Sequence, residues 1–199
     1  MTTYIGPNAR VSSDARVYDN ASVGDNASVG DNARVGGNAH VYGNAHVYGN
    51  ALVSSDARVG GNAHVYGNAH VYGNALVYDN AHVSDNARVS DNARVSGNAR
   101  VSGNARVSGN AHVSGNARVS WDACVSGDED LLVIGPASSS GRYTSAYRDL
   151  VLGVRVSCGC FSGTVEQFEL AIMETHEGNE KFRKEYLGYV ALIKCKFDL

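Results

Sequence analysis

The residues best suited to chemistry lie late in the chain, in Ser157-Cys158-Gly159-Cys160-Phe161-Ser162-Gly163-Thr164, which reads as a strand running through glycines into a helix start. A helix N-terminus offers free backbone N–H groups and partial positive charge, and glycines let a ligand come close to the backbone. Arg155 precedes this stretch, and Arg142, Tyr143, Thr144 and Arg148 stand on a neighbouring strand. Guanidinium forks hold phosphate in bidentate fashion. Arg142, Tyr143, Thr144, Arg148, Arg155, Gly163 and Thr164 therefore form the expected ligand-binding set, and its ligand is a small molecule bearing phosphate. The Gly-Lys-Ser/Thr of a Walker loop is missing, and no general base stands out beside the arginines, so capture is expected and catalysis is not. Cys158 and Cys160 read as lying on one side of their strand, with Cys195 or His176 as further zinc ligands. Cys-x-Cys alone is a poor metal signature, and the expected role is that of small core residues, with no metal and no cofactor.

These residues need elements to hold them. Asp128-Glu129-Asp130 reads as a linker, residues 131–134 as a strand ended by Gly135-Pro136, and residues 137–141 as a flexible loop. Alternation predicts a second strand over 142–148 and a third over 154–161. Thr164 is placed to cap a helix with Gln167 three residues on, and Val165, Phe168, Ala171 and Ile172 make its apolar stripe. Residues 177–179 end that helix. A second one starts near Glu180, with Phe182, Tyr186, Tyr189, Val190 and Ile193 at helical spacing.

Everything before this region obeys a single rule. From Ile5 to Val125 an aliphatic residue recurs at every sixth position without insertion or deletion, as in Val41-Tyr42-Gly43-Asn44-Ala45-His46. Within a unit such as Ala99-Arg100-Val101-Ser102, alternation sends Ala and Val inward and Arg and Ser outward. The following Gly-Asn, Asp-Asn or Ser-Asp pair turns the chain cheaply. Three strands and three corners close a triangular coil of eighteen residues, so the repeat builds about seven coils. Trp121 replaces a corner residue just before the repeat stops and is expected to cap the prism where it joins the tail.

This pattern resembles the left-handed parallel β-helix of hexapeptide-repeat proteins. The expected fold is mainly β: that helix over residues 1–127, then a small α+β domain over 128–199 with about three strands and two helices. The tail, through Ile134-Gly135-Pro136, Arg142, Arg148 and Gly159-Cys160-Phe161-Ser162-Gly163-Thr164, resembles a small domain of hexapeptide-repeat proteins of bacteriophages and prophage-bearing bacteria. That resemblance implies a phage setting, in which such proteins serve as particle parts or trap the nucleotide signals of bacterial immunity.

Outward positions give the prism its individuality. Residues eighteen apart share a face, which places His46, His64 and His82 in adjacent coils with Tyr48 and Tyr66 beside them. Exposed aromatic clusters mark contact surfaces, and these five residues are the expected interface of a homotrimer. Residues 92–121 hold Arg94, Arg100, Arg106, His112 and Arg118 and no carboxylate. Consecutive units fall on different faces, so this basic collar is expected to spread around the prism without focusing on one groove.

With a net charge of −3 over 199 residues, nothing global points to a nucleic-acid polymer. No apolar run approaches a membrane span and no basic leader opens the chain, so a cytoplasmic protein, in the host cell if phage-encoded, is expected. Four unframed cysteines suit that compartment. The leading expectation is a non-enzymatic binding protein with an anti-defence role, a β-helix trimer whose tails sequester a phosphate-bearing molecule such as a nucleotide immune signal. The alternatives are a purely structural phage spacer or fibre protein, and a hexapeptide-repeat acyltransferase, whose usual extruded loop this repeat does not contain.

Overall fold

The computed structural model describes residues 2–199. Its first part is a left-handed parallel β-helix of about seven turns, the triangular prism that the period of six requires. Two-residue strands from Tyr4–Ile5 to Cys124–Val125 stack into three seven-stranded parallel sheets, one per face. The register is eighteen residues throughout: His64 pairs with His46 on one side and His82 on the other, and Val65 lies between Val47 and Val83. From Ala21 to Val125 the inward Ala and Val residues are fully buried, whereas Ala9, Val11, Ala15 and Val17 of the first coil are only partly covered. One large and one small residue per strand fill the bore in every layer.

The corners divide their labour. Positive φ falls mostly on the first residue of each pair, as at Gly43 (66°), Gly61 (64°) and Asp79 (59°). The second residue builds a ladder: Asn44 Nδ2 donates to Asn62 (3.1 Å), Asn62 to Asn80 (3.1 Å), Asn80 to Asn98 (3.3 Å) and Asn98 to Asn116 (3.2 Å). Where the first corner residue is Asp, its carboxylate accepts from the amide one coil later, as Asp85 does from Gly103 (3.0 Å).

The tail folds as a four-stranded antiparallel sheet with two helices on one side. Its strands are Leu131–Ile134, Thr144–Asp149, Gly153–Cys158 and Phe161–Gly163. The strand expected over 154–161 is thus a hairpin, because Gly159 takes φ 61° and turns the chain. The expected second strand begins two residues late, at Thr144. Helix α1, Val165–Thr175, starts with a reciprocal capping box in which Gln167 N–H donates to Thr164 Oγ1 (3.2 Å) and Thr164 N–H donates to Gln167 Oε1 (2.9 Å). Helix α2, Glu180–Phe197, is capped by Asn179 and joined to α1 by Lys194 and Glu169 at 2.7 Å. The loop expected to be flexible over 137–141 is tied to α2: Ser138 N–H donates to Glu185 (2.9 Å), and the hydroxyls of Ser139 and Ser140 lie 3.1 and 3.2 Å from Tyr186 Oη. No helix among the described residues is long and apolar enough to cross a membrane.

The sheet's alternation gives it two different jobs. Ala146, Val154 and Val156 face the helices, while Ser145, Tyr147, Asp149, Arg155 and Ser157 face the end of the prism. Tyr147 is fully buried against the prism core, and its hydroxyl lies 3.1 Å from both Ser120 and Ser157. Ser145 Oγ accepts the free amide of Arg118 (2.9 Å). The expected linker is itself part of this closure, since Asp128 accepts from His112 N–H (2.8 Å) and Asp130 from Ser126 N–H (2.8 Å). The amides of His112, Arg118 and Ser126, which a further coil would have paired, are satisfied in this way by side chains.

Candidate functional site

The seven residues expected to bind a ligand do not converge, because the sheet sends them to different sides. Arg155 points to the prism, buried in an ion pair with Asp149 at 2.7 Å, with its guanidinium 5.0 Å from the ring centre of Trp121. Burial alone would push the Asp149 carboxyl up, but the hydrogen bond from Arg155, the amides of Leu152 and Val151 and the arginine's charge outweigh it and hold the group below its ordinary value. Arg155 is therefore a joint between tail and prism. Trp121 joins the two as expected, yet it stays 55% exposed, so it carries the arginine on its face and is not a buried plug.

Arg148 stands on the opposite face of the sheet, its guanidinium over the Phe197 ring at 5.2 Å. Thr144 is fully buried in the strand. Gly163 is buried in the hairpin, and the α1 start is occupied by its own capping box. Glu166 adds a carboxylate to that first turn; hydrogen bonds from its own amide and from Thr164 lower its pKa despite some desolvation, so it is ionised at neutral pH and repels phosphate. Thr164 shares a small hollow with Arg148, and Glu166 stands in the same lining. Cys158 ends one strand while Cys160 lies in the turn, so they do not share a strand face. Among the described residues no group of three or more His, Cys, Asp or Glu side chains is placed to hold a metal ion.

Arg142 and Tyr143 do come together with something else. Because every eighteenth residue shares a face, one column reads Arg10, Ser28, His46, His64, His82, Arg100, Arg118 up the prism. Its upper end meets the tail's hairpin, and there a cleft of about 300 Å³ is lined by Asn98, Arg100, Asn116, Arg118, Gly141, Arg142, Tyr143 and Gly159. Three arginines and no carboxylate line it. Arg118 Nη1 donates to Gly159 O (3.3 Å), and the Arg142 side chain lies across the same glycine, so that a Cβ at position 159 would stand 2.8 Å from Arg142 Nη1. Glycine at 159 is favoured by its φ of 61°, and a side chain there would push the Arg142 guanidinium aside.

The basic collar is thus focused at one place after all. Spacing by eighteen gives Arg100 and Arg118 a common face, and only the tail's docking brings Arg142 to them.

Beyond Arg142 lies a second hollow of about 500 Å³, whose wall includes Phe161, Phe168, His176, Phe182 and Tyr186. The rings pack on one another: His176 stacks on Tyr186 at 5.2 Å and meets Phe182 edge-on at 5.9 Å.

The prism is a hexapeptide-repeat β-helix. Residues 2–37 match the bacterial transferase hexapeptide family (six repeats), and segments between residues 69 and 115 match the YdcK β-solenoid repeat. A solved structure from Bacillus cereus, described as a candidate acetyltransferase, is similar at 10% identity with a TM-score of 0.44 over 96% of this chain and 98% of that one. No curated protein matches the chain in sequence.

Lower on the same column, the five residues expected to form an interface make two stacks. His46, His64 and His82 lie ring on ring at 5.0 and 4.9 Å, and Tyr48 stacks on Tyr66 at 5.1 Å. Burial lowers the pKa of His64, helped by His82 and His46, and burial and then Arg100 lower that of His82.

Proposed function

We propose that this is a non-enzymatic binding protein in which the prism forms a homotrimer and the junction of prism and tail captures a phosphate-bearing small molecule. The observation that carries the reading is the cleft where Arg100 and Arg118 of the prism meet Arg142 and Tyr143 of the tail with no carboxylate among the lining residues. Three guanidinium groups, Arg100 and Arg118 on prism strands and Arg142 two residues before the Thr144–Asp149 strand, offer fork donors to phosphate. No histidine, cysteine or carboxylate lines the cleft to move a proton, which supports capture over turnover. The stacked His and Tyr rings on the same face supply the trimer contact, and a trimer presents three clefts around one axis. In the phage setting that the tail's resemblance implies, a nucleotide signal of host immunity is the occupant, sequestered in the cytoplasm.

Calorimetry of the full chain against cyclic and linear nucleotides tests this. The parent is expected to bind at least one of them, and Arg118→Ala or Arg142→Ala to weaken it by roughly tenfold or more, since each charged hydrogen bond is worth about 1.5–3 kcal/mol. A second reading, a structural spacer, is favoured by the way Tyr147 and Ser145 seal the prism end. Absence of binding by the parent would leave that reading standing.

A further inference from the structure

We propose that the aromatic hollow beside Arg142 is a base-binding subsite, so that the cleft's ligand is a nucleotide held by its phosphate on the arginines and by its ring on the tail's aromatic wall. The inference rests on the anion reading of the cleft and extends it. Arg142 lines both hollows, so a molecule whose phosphate lies between Arg100, Arg118 and Arg142 reaches the aromatic wall by passing that one side chain. The wall is built for a flat apolar partner. Phe161, His176 and Phe182 are only half-buried, while Phe168 and Tyr186 behind them are buried and hold them in place, with Phe161 on Phe168 at 5.2 Å and Phe168 edge-on to Tyr186 at 6.3 Å.

The rest of the wall is equally fixed. The Tyr186 hydroxyl is engaged by Ser139 and Ser140, which pins the 137–141 loop along the rim. A volume of about 500 Å³ lies within the range of small-molecule sites. Stacking on aromatic side chains is tolerant of base identity, because every base presents a π-face. The Arg142 guanidinium, planar and weakly hydrated, is suited to serve a phosphate on one side and a ring on the other.

The experiment compares two probes on the full chain by calorimetry: adenosine 5′-monophosphate and ribose 5-phosphate, which share the phosphate and differ in the base. The parent is expected to bind the nucleotide at least about tenfold tighter, the scale of one base stacked on aromatic rings. Phe182→Ala is expected to bring the nucleotide down to the level of the sugar phosphate and to leave the sugar phosphate unchanged, whereas Arg118→Ala weakens both. Ala171→Trp, which fills the hollow from α1, is expected to match Phe182→Ala and guards against a folding defect in that variant.

Equal affinity of the parent for both probes would overturn the base subsite and leave the anion cleft intact. So would nucleotide binding that survives both hollow variants. If the parent binds neither probe nor any nucleotide of the panel, the anion reading fails and the subsite with it.

Discussion

The prism and the tail solve the same problem, burying a core, by opposite means. Inside the prism each layer repeats the last, so Val65 lies between Val47 and Val83 as any inner valine lies between two others, and the inner coils differ only in what they show outward. The tail repeats nothing. Its sheet has one face for its helices and another for the prism, and each polar residue on the prism side has a particular partner: Ser145 with Arg118, Tyr147 with Ser120 and Ser157, Arg155 with Asp149. Repetition supplies rigidity and columns of like side chains; irregularity supplies a place where a column ends against something different. The arginine cleft lies at that meeting, and neither region makes it alone.

The contrast is broken most severely inside the stack. Val65 is fully buried between two valines, so Val65→Asp places a charge among apolar side chains out of reach of solvent. The expected cost is about 3–5 kcal/mol. Because a solenoid's stability is carried by contacts between neighbouring coils, the loss is expected to spread along the prism as a large fall in urea midpoint. A variant that unfolds with the parent would overturn the assignment of Val to the interior.

The joint between the regions comes next. Asp149→Asn leaves the Arg155 guanidinium buried without its carboxylate, at an expected cost of about 3 kcal/mol confined to the tail. Trp121, the sole tryptophan, lies under Arg155 and reports on the joint by its fluorescence. Since the folded Asp149 carboxyl is held below its ordinary 3.8, its contribution is fully present above that pH and is lost as pH falls through the lowered value. The parent's emission is therefore expected to be flat from pH 7 to 5 and to change only in stronger acid, while Asp149→Asn shows the altered emission already at pH 7. A parent whose joint opens between pH 7 and 5 contradicts this account.

The same contrast explains what could be read from the chain alone. A period of six specifies inward Val and Ala, corner glycines and the eighteen-residue columns, so the prism was legible nearly residue by residue. The Asn ladder was not, because periodicity marks Asn68 as a corner residue without saying that it donates to Asn86 and accepts from Asn50. In the tail, local signals worked where chemistry is local: Thr164 and Gln167 form the capping box that their spacing predicts. The arginines failed as a set because position along a strand gives a side only once the register is known. Arg148 and Arg155 fall on opposite faces, and the partners of Arg142 lie in the prism. Arg100 and Arg118 were visible as an eighteen-residue pair, but the docking that adds Arg142 depends on Tyr147 and Ser145 finding the prism's end.

The smallest effect is expected on the prism's surface, where repetition stacks like groups that can all take charge. His46, His64 and His82 lie about 5 Å apart with Arg100 next in the column, and burial together with these neighbours lowers the pKa of His64 and His82. A base whose folded pKa lies below its ordinary 6.5 contributes fully above that value and progressively less as pH falls below it. If this face holds the proposed trimer together, protonation sets three positive columns against one another at the contact. Salt screens charges at such a surface, so the change is expected in association and not in folding. Sedimentation is expected to show a trimer at pH 7.5 that dissociates toward pH 5 at low salt, with added salt reducing the effect. His64→Gln combined with His82→Gln leaves His46 as the stack's one histidine and is expected to weaken the pH dependence of the trimer markedly across that range. A monomer at both pH values would remove the contact from this face, and a trimer indifferent to pH in the parent would assign it to another.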